Sequence, residues 1–115
     1  MSEDTMRVTF NEPTVVNVYN AINGFIDDFY AAVDVTHTPA SMKMSIHIVV
    51  IIQNAGGDEK EFSLNCYWEE DAAVINTRMK NIAIGFIGGI TTMEAASSYT
   101  TIQRMHGTVA LTITS

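Results

Sequence analysis

The longest apolar run in the sequence, Met42–Ile52 (MKMSIHIVVII), constrains the fold more than any other stretch. Its even positions are all apolar, whereas its odd positions mix Lys43, Ser45 and His47 with two aliphatic residues. This alternation predicts a β-strand, because successive side chains of a strand point to opposite faces. We therefore predict a strand with one wholly buried face and one mixed face, and we place the remaining elements relative to it.

A turn and a second alternating segment follow this strand. Asn54–Asp58 contains two glycines, and residues 60–69 again alternate apolar with polar side chains. The apolar faces of the two strands match only if a three-residue loop joins them, since a shift of one residue would turn every side chain to the other face. The resulting hairpin register places Lys43 opposite Glu69.

Two helices and two further strands complete the predicted chain. Residues 14 to about 33 have apolar side chains at helical spacing, with Asn11 as the expected cap. A second helix is predicted to begin near residue 71 and to stop at Gly88-Gly89. Its expected buried stripe is Ala72, Ile75, Met79, Ile82, Phe86 and Ile90. Strands one and four are predicted at residues 6–10 and about 101–114.

The order β-α-β-β-α-β predicts a ferredoxin-like α+β fold, with a four-stranded antiparallel sheet and two helices on one face. We place strands one and three at the centre, which leaves the strand at Met42–Ile52 on an edge. The 115 residues suit one hydrophobic core, so we expect residues 1–115 to form a single domain with residues 1–4 as a flexible tail. The fold alone says little about function.

Composition narrows the function classes. The chain carries 6 Lys and Arg against 13 Asp and Glu, for a net charge of −7. This balance argues against binding to nucleic acid, which requires a basic footprint. The sequence has no apolar run long enough for a membrane span and no signal peptide, so no membrane partner is expected. A single cysteine, Cys66, suits the reducing cytoplasm, which is the predicted location.

No metal or cofactor is predicted. His37, His47, His106 and Cys66 do not follow the spacing of a known zinc site. Parity also turns the Cys66 thiol toward the core and both strand histidines away from it. Cys66 is therefore expected to be a small core residue and not a nucleophile.

The sheet face opposite the helices, here called the open face, collects most of the chemistry. Parity assigns it these residues: Arg7, Thr9, Lys43, Ser45, His47, Val49, Ile51, Ser63, Asn65, Tyr67, Glu69, Arg104, His106, Thr108, Ala110 and Thr112. The aliphatic residues make this face too apolar to be left in water. We therefore expect a homo-oligomer, a dimer or a trimer, built on the open face or on the edge of the Met42–Ile52 strand.

The open face also concentrates positive charge in an acidic protein. We predict a site there, or at a subunit boundary, for an anionic small molecule. Arg7 and Arg104 are expected to bind phosphate or carboxylate. His47 and His106 are expected to donate hydrogen bonds or to move protons, and Tyr67 to stack or to donate a hydrogen bond. The alternative is that these residues only satisfy one another in an oligomer interface.

Two short segments resemble a known family. The passage from strand to helix at Glu12-Pro13 and the entry to strand three at Glu59-Lys60 are similar to those of phage enzymes that degrade S-adenosylmethionine. Those enzymes are small α/β oligomers with sites between subunits, so the resemblance implies S-adenosylmethionine-lyase-like activity. The family is expected to carry a tyrosine in strand two, where this chain has aliphatic residues and His47.

Three hypotheses for the function follow from the sequence. The first is a small oligomeric binding protein that holds an anionic small molecule or a partner on the open face. The second is a small-metabolite enzyme with a site between subunits, in which Glu69 and a histidine serve as acid and base. The third is a structural virion or assembly protein of a phage-like kind, whose open face is only an interface.

Overall fold

The computed structural model describes residues 3–33, 41–95 and 101–114. The elements are β1 (Glu3–Glu12), α1 (Val15–Ala32), β2 (Ser41–Gln53), β3 (Glu59–Glu70), α2 (Asn76–Ala95) and β4 (Thr101–Thr114). The four strands form one antiparallel sheet, and both helices cover the same face of it. The predicted ferredoxin-like α+β fold is confirmed.

The core lies between this sheet and the two helices, as the alternation of β2 predicts. All six even residues from Met42 to Ile52 are buried, with exposures of at most 6%. The helices contribute the following buried side chains: Val18, Ile22, Phe25, Ile26 and Phe29 from α1, and Met79, Ala83, Ile87 and Ile90 from α2. The apolar side chains of β3, among them Trp68 and Cys66, pack at the margin of this core and are half-buried.

The order of the strands differs from the prediction. The sheet runs β1-β4-β2-β3, so β4 and β2 are central, contrary to the prediction that strands one and three lie there. A crossover from β1 to β2 leaves room for one strand between them, and side-chain parity does not decide which strand fills it. The apolar content of β2 on both faces is typical of a central strand, and the acidic residues of β1 and β3 suit edges.

This order rules out one of the two predicted oligomer surfaces. Both edges of β2 are paired, one with β3 and the other with β4. Neither edge of β2 therefore has unpaired backbone N–H and C=O groups with which a strand of a second chain could pair. The expectation of an oligomer built on the edge of β2 is wrong. The open face is the predicted surface that remains.

The hairpin between β2 and β3 has the predicted register. Lys43 lies opposite Glu69, and the pairing continues to Gln53 opposite Glu59. The Asn54 amide donates to the Asp58 carbonyl at 3.0 Å, which closes a three-residue loop. Gly57 in this loop has a φ of +88°, a left-handed conformation that glycine adopts without steric cost.

Both helices begin later than predicted. Thr14, and not Asn11, caps α1, because its hydroxyl accepts a hydrogen bond from the Asn17 amide at 3.1 Å. The α2 helix begins at Asn76 and continues through Gly88-Gly89, the predicted stop. Because Ile75 precedes the first turn, it lies outside the buried stripe and is 71% exposed.

The connection from β3 to α2 is held to the core at Val74. The Val74 side chain is buried, its amide donates to Met42 Sδ at 3.2 Å, and its carbonyl accepts a hydrogen bond from the Tyr30 hydroxyl. These contacts fix the connection to the core at Val74, the buried residue among residues 71–75. They explain why the acidic residues at the end of β3 precede the helix instead of forming its first turn.

The outer strands are close to their predicted bounds. β1 begins at Glu3, so Glu3 and Asp4, which are predicted as part of a tail, pair with Thr114 and Ile113. β4 has the predicted bounds, with a shift in its pairing to β2 between Ile51 and Ile52.

Candidate functional site

The register places the open-face residues in rows that cross all four strands. One row runs from β1 to β3 through Arg7, Ala110, Ser45 and Tyr67. The next row runs through Thr5, Thr112, Lys43 and Glu69. Ala110 and Ser45 are small, so the centre of the sheet is low between longer side chains on the edge strands.

Seven residues of these two rows, together with Thr108 from the following row, form a pocket, here called the open-face pocket, with a volume of about 330 Å³. It is lined by Thr5, Arg7, Lys43, Ser45, Tyr67, Thr108, Ala110 and Thr112. The lining thus combines two cations with five hydroxyl groups and contains no carboxylate. Such a lining can neutralise an anion and donate several hydrogen bonds to it.

The two cations of the open-face pocket form no ion pair with the part of the chain that the structure describes. Arg78 pairs with Glu70 at 2.7 Å, and Lys80 pairs with Asp27 at 2.8 Å, both on the helical side. Among the described residues, no carboxylate forms an ion pair with Arg7 or Lys43. The open-face pocket therefore presents two cations that form no ion pair, with the Glu69 carboxylate beside them on the Tyr67 hydroxyl.

Glu69 is engaged by Tyr67 and not by Lys43, although Lys43 is its cross-strand neighbour. The Tyr67 hydroxyl donates to Glu69 Oε2 at 2.6 Å. This hydrogen bond, with smaller effects of burial and of the carboxylate charge, raises the pKa of Tyr67. Tyr67 therefore stays protonated at neutral pH and serves as a hydrogen-bond donor, and Lys43 is left to face the pocket. Whether Glu69 acts as an acid or a base is untested and stays a prediction.

The other predicted site residues lie progressively farther along the sheet. His47 is opposite Thr108, and His106 is opposite Val49, so the two histidines are diagonal neighbours about 7–8 Å apart. Both are exposed one or two rows from the pocket. They are close enough for a bound molecule to reach from the pocket toward them.

Arg104 is not brought together with Arg7. It lies opposite Ile51, six residues along β4 from Ala110, which is the neighbour of Arg7. At the rise of a strand, this separation is about 20 Å. One small anion cannot contact both arginines, so the two predicted anion-binding residues belong to opposite ends of the open face.

Reasoning from the sequence missed part of the pocket lining. Parity predicts that Lys43, Ser45 and the threonines of β4 lie on the open face, but it does not single them out as site residues. Thr5 lies outside the predicted strand altogether, and its hydroxyl is 3.0 Å from that of Thr112. The missing information is the strand order, because only the adjacency of β1 to β4 brings Thr5 and Arg7 beside the central strands.

The open face is less apolar than predicted. Val49 and Ile51 are half-buried between their neighbours. Among the described residues, four large hydrophobic side chains are exposed, namely Val16, Tyr67, Ile75 and Ile84, and of these only Tyr67 is on the open face. The chemistry of the face is therefore that of its polar and charged groups.

The structure gives no separate metal or thiol site among residues 3–33, 41–95 and 101–114. No group of three or more His, Cys, Asp or Glu side chains converges in these ranges, and His37 lies outside them. Cys66 faces the core as predicted, and burial raises the pKa of its thiol. In the described part of the chain no helix is both long and apolar enough to cross a membrane.

Comparisons with known proteins found only a weak likeness to solved structures. No family model and no curated protein matches the chain. Among solved structures, it is similar to a Y-family DNA polymerase chimera of Dbh and Dpo4, with a TM-score of 0.48 and 11% identity over 99% of this chain. It is also similar to the polymerase chain of a Dbh ternary complex, with a TM-score of 0.47 and 11% identity over 97% of this chain. In both cases the chain spans only 28% of the matched protein, and likeness at this level carries no argument about function.

Proposed function

We propose that the protein binds an anionic small molecule in the open-face pocket. The observation that carries the proposal is a pair of cations, Arg7 and Lys43, that form no ion pair within the described residues and that line a pocket with five hydroxyl groups. Both side chains are in contact with solvent, so an anion can reach them without displacing a protein carboxylate. The function is that of a binding protein acting as a homo-oligomer.

The arrangement suits a phosphate or carboxylate group above β4. Arg7 and Lys43 flank the pair Ala110 and Thr112 diagonally, one from each neighbouring strand. Their long side chains can therefore converge on one anion from two sides. The guanidinium group offers a planar two-donor edge, and the ammonium group provides a compact point charge.

The rest of the pocket favours a ligand with a further polar or planar part. The Tyr67 ring is 62% exposed beside Ser45, so its face is available for contact. The volume of about 330 Å³ is at the lower end of the range for small-molecule sites. Phosphorylated or carboxylated metabolites of modest size, including nucleoside monophosphates, fit this description.

Calorimetric titration tests the proposal. Inorganic phosphate, small di- and tricarboxylates and nucleoside monophosphates are titrated into the protein at an ionic strength of about 0.1 M. Replacing Arg7→Gln or Lys43→Gln removes a charged hydrogen bond worth about 1.5–3 kcal/mol. Each change is expected to weaken binding by about 10- to 100-fold.

Arg104→Gln is the matched control, since it removes one positive charge from the same face about 20 Å away. It should change the affinity by less than about threefold at moderate salt, because screening is strong beyond about 10 Å. If no anion binds, or if Arg104→Gln weakens binding as much as Arg7→Gln, the open-face pocket is not the site.

A further inference from the structure

We infer that Tyr67 is a positioning residue of the open-face pocket, because its hydroxyl holds the Glu69 carboxylate away from Lys43 and thereby keeps Lys43 available to an anion. The inference rests on the proposed function, since it concerns the regulation of the same pocket. The competition between the three side chains can nevertheless be observed without a ligand.

Glu69 has two partners within reach. Lys43 lies directly opposite it on β2, and the Cβ atoms of such cross-strand neighbours are about 4.5–5.5 Å apart. Tyr67 is two residues before Glu69 on β3, so it points to the same face about 7 Å away. Opposite charges on paired strands attract one another, so the register by itself favours an ion pair between Glu69 and Lys43.

The structure has the other arrangement. The Tyr67 hydroxyl donates to Glu69 Oε2 at 2.6 Å, within the short range of hydrogen bonds from a hydroxyl to a carboxylate. In the described ranges no ion pair joins Glu69 to Lys43, although Arg78 and Lys80 on the helical side are each paired with a carboxylate. Lys43 lines the open-face pocket, and Glu69 does not. The hydrogen bond to Tyr67 therefore takes the place of the cross-strand ion pair.

The other acidic residues of this face are less well placed to pair with Lys43. Glu3 lies in the next row and two strands away, about 12 Å from Lys43 between backbones. Glu61 is eight residues from Glu69 along β3, which is about 27 Å. Asp71 follows the last residue of β3, and it forms no ion pair with Lys43 in the part of the chain that the structure describes. Of the described carboxylates, Glu69 is therefore the one directly beside Lys43.

The two arrangements of Glu69 give the pocket different charges. With Glu69 on Tyr67, both Arg7 and Lys43 can face the anion. With Glu69 on Lys43, the ammonium group is neutralised and a carboxylate stands at the side of the pocket. An anion that binds the first arrangement more tightly must favour the hydrogen bond to Tyr67 as much as that bond favours the anion. The hydroxyl thus regulates anion affinity through Glu69, without contact with the anion.

Removing the hydroxyl tests the inference. The affinity for inorganic phosphate is measured by NMR titration at an ionic strength of about 0.1 M. Tyr67→Phe keeps the ring and releases Glu69, so phosphate binding should weaken by about two- to fivefold, the strength of an exposed ion pair. Tyr67→Phe combined with Glu69→Gln should bind phosphate at least as tightly as the unchanged protein, because no carboxylate is left to occupy Lys43.

Asp71→Asn is the matched control for this rescue. It removes an exposed carboxylate beside the end of the same strand, but one that the Tyr67 hydroxyl does not hold. Combined with Tyr67→Phe, it should leave phosphate binding weak. Residues 67, 69 and 71 are all exposed, so the variants should fold normally, and circular dichroism checks this.

A second measurement, made without any ligand, follows the Lys43 ammonium group. The chain has three lysines, and Lys43→Gln assigns the NMR signal of Lys43 Nζ. In the unchanged protein Glu69→Gln should move this signal little, because Tyr67 already holds the carboxylate. In the Tyr67→Phe background the same change should move it clearly, because it breaks an ion pair.

Four results would overturn the inference. Two are a Tyr67→Phe protein that binds phosphate as tightly as the unchanged one, and a rescue by Asp71→Asn as complete as that by Glu69→Gln. The third is a Lys43 signal that does not respond to Glu69→Gln in the Tyr67→Phe background. The fourth is a Tyr67→Phe, Glu69→Gln protein that still binds weakly, because the hydroxyl would then contact the anion itself.

The outcomes also separate this inference from the proposed function. Anion binding that depends on Arg7 and Lys43 but not on the Tyr67 hydroxyl would leave the proposed function standing and refute the inference. A protein that binds neither phosphate nor any other anion of the calorimetric panel would refute the proposed function. A Lys43 signal that responds as expected in that protein would still support the competition for Glu69.

Discussion

Replacing Gly107→Ala is expected to be the most damaging one-methyl change in the sheet. Gly107 is in β4, the central strand, where it lies opposite Ile48 of β2 and Phe10 of β1. A Cβ atom built there would be 1.9 Å from the carbonyl oxygen of His47 and 3.0 Å from the Ile48 Cα. Both are backbone atoms, so no side-chain rotation can relieve the overlap.

The cost can be worked from this geometry. Cβ atoms in proteins keep at least 3.0 Å from such neighbours, so the contact is short by 3.0 − 1.9 = 1.1 Å. Moving β2 and β4 apart by about 1 Å stretches the flanking hydrogen bonds from about 2.9 Å to beyond 3.5 Å, where they are lost. Two or three lost bonds at about 1 kcal/mol each give about 2–3 kcal/mol. That is a large part of the roughly 6–17 kcal/mol expected for a domain of this length.

Urea and thermal unfolding, followed by circular dichroism, measure the effect. Gly107→Ala should lower the midpoint by about 10 °C or more. Gly24→Ala and Gly85→Ala are matched controls, since both positions are helical and a Cβ there meets nothing within 4 Å. Each control should stabilise the protein by about 0.5–1 kcal/mol. A Gly107→Ala protein within 0.5 kcal/mol of the unchanged one would refute the reasoning, because it would mean that the strands are not as close as described.

Three further changes have defined outcomes. Gly57→Ala places a side chain at a φ of +88° and should lower the free energy of unfolding in urea by about 1–2 kcal/mol. An unchanged free energy would mean that the turn relaxes, and it would contradict this prediction. Burial raises the pKa of Tyr30 to about 12, so its contribution to stability is present below pH 10 and is lost as the pH rises toward 12. Tyr30→Phe should remove that alkaline loss and cost about 1–3 kcal/mol at neutral pH by leaving the Val74 carbonyl unsatisfied, and an unchanged alkaline profile would contradict this. The Lys80 and Asn76 side chains lower the pKa of Asp27, so its contribution to the free energy of unfolding is present above about pH 4 and is lost in more acid solution. Asp27→Asn should therefore make the free energy of unfolding fall less steeply with decreasing pH. An equally steep fall would count against this role of Asp27.

Period-two alternation made the strands and their faces predictable. The register of β2 with β3 followed from one constraint, that apolar faces must match across a three-residue turn, and the Lys43–Glu69 pair confirms it. The same parity placed Arg7 and Tyr67 on the open face. These features depend only on neighbours in sequence or across a hairpin.

Features that depend on distant segments were not predictable in this way. The insertion of β4 between β1 and β2 decides that Arg7 and Lys43 share a pocket and that Arg104 lies at the far end. The α2 helix begins at Asn76 and not near residue 71, because the burial of Val74 against Met42 and Tyr30 outweighs the preference of acidic residues for a helix N-terminus. The apolar residues of β2 on both faces suit a central strand, but in the sequence alone they are also typical of an oligomer surface.

The position of β4 has a consequence for the order in which the protein can assemble during synthesis. The strand that joins the two halves of the sheet is encoded last, after β1, both helices and the β2–β3 hairpin. Until it leaves the ribosome, the most apolar strand of the chain has one edge unpaired, and β1 has no strand beside it. A nascent chain that stalls before residue 101 would therefore present a bare β2 edge, which makes such intermediates natural clients of chaperones.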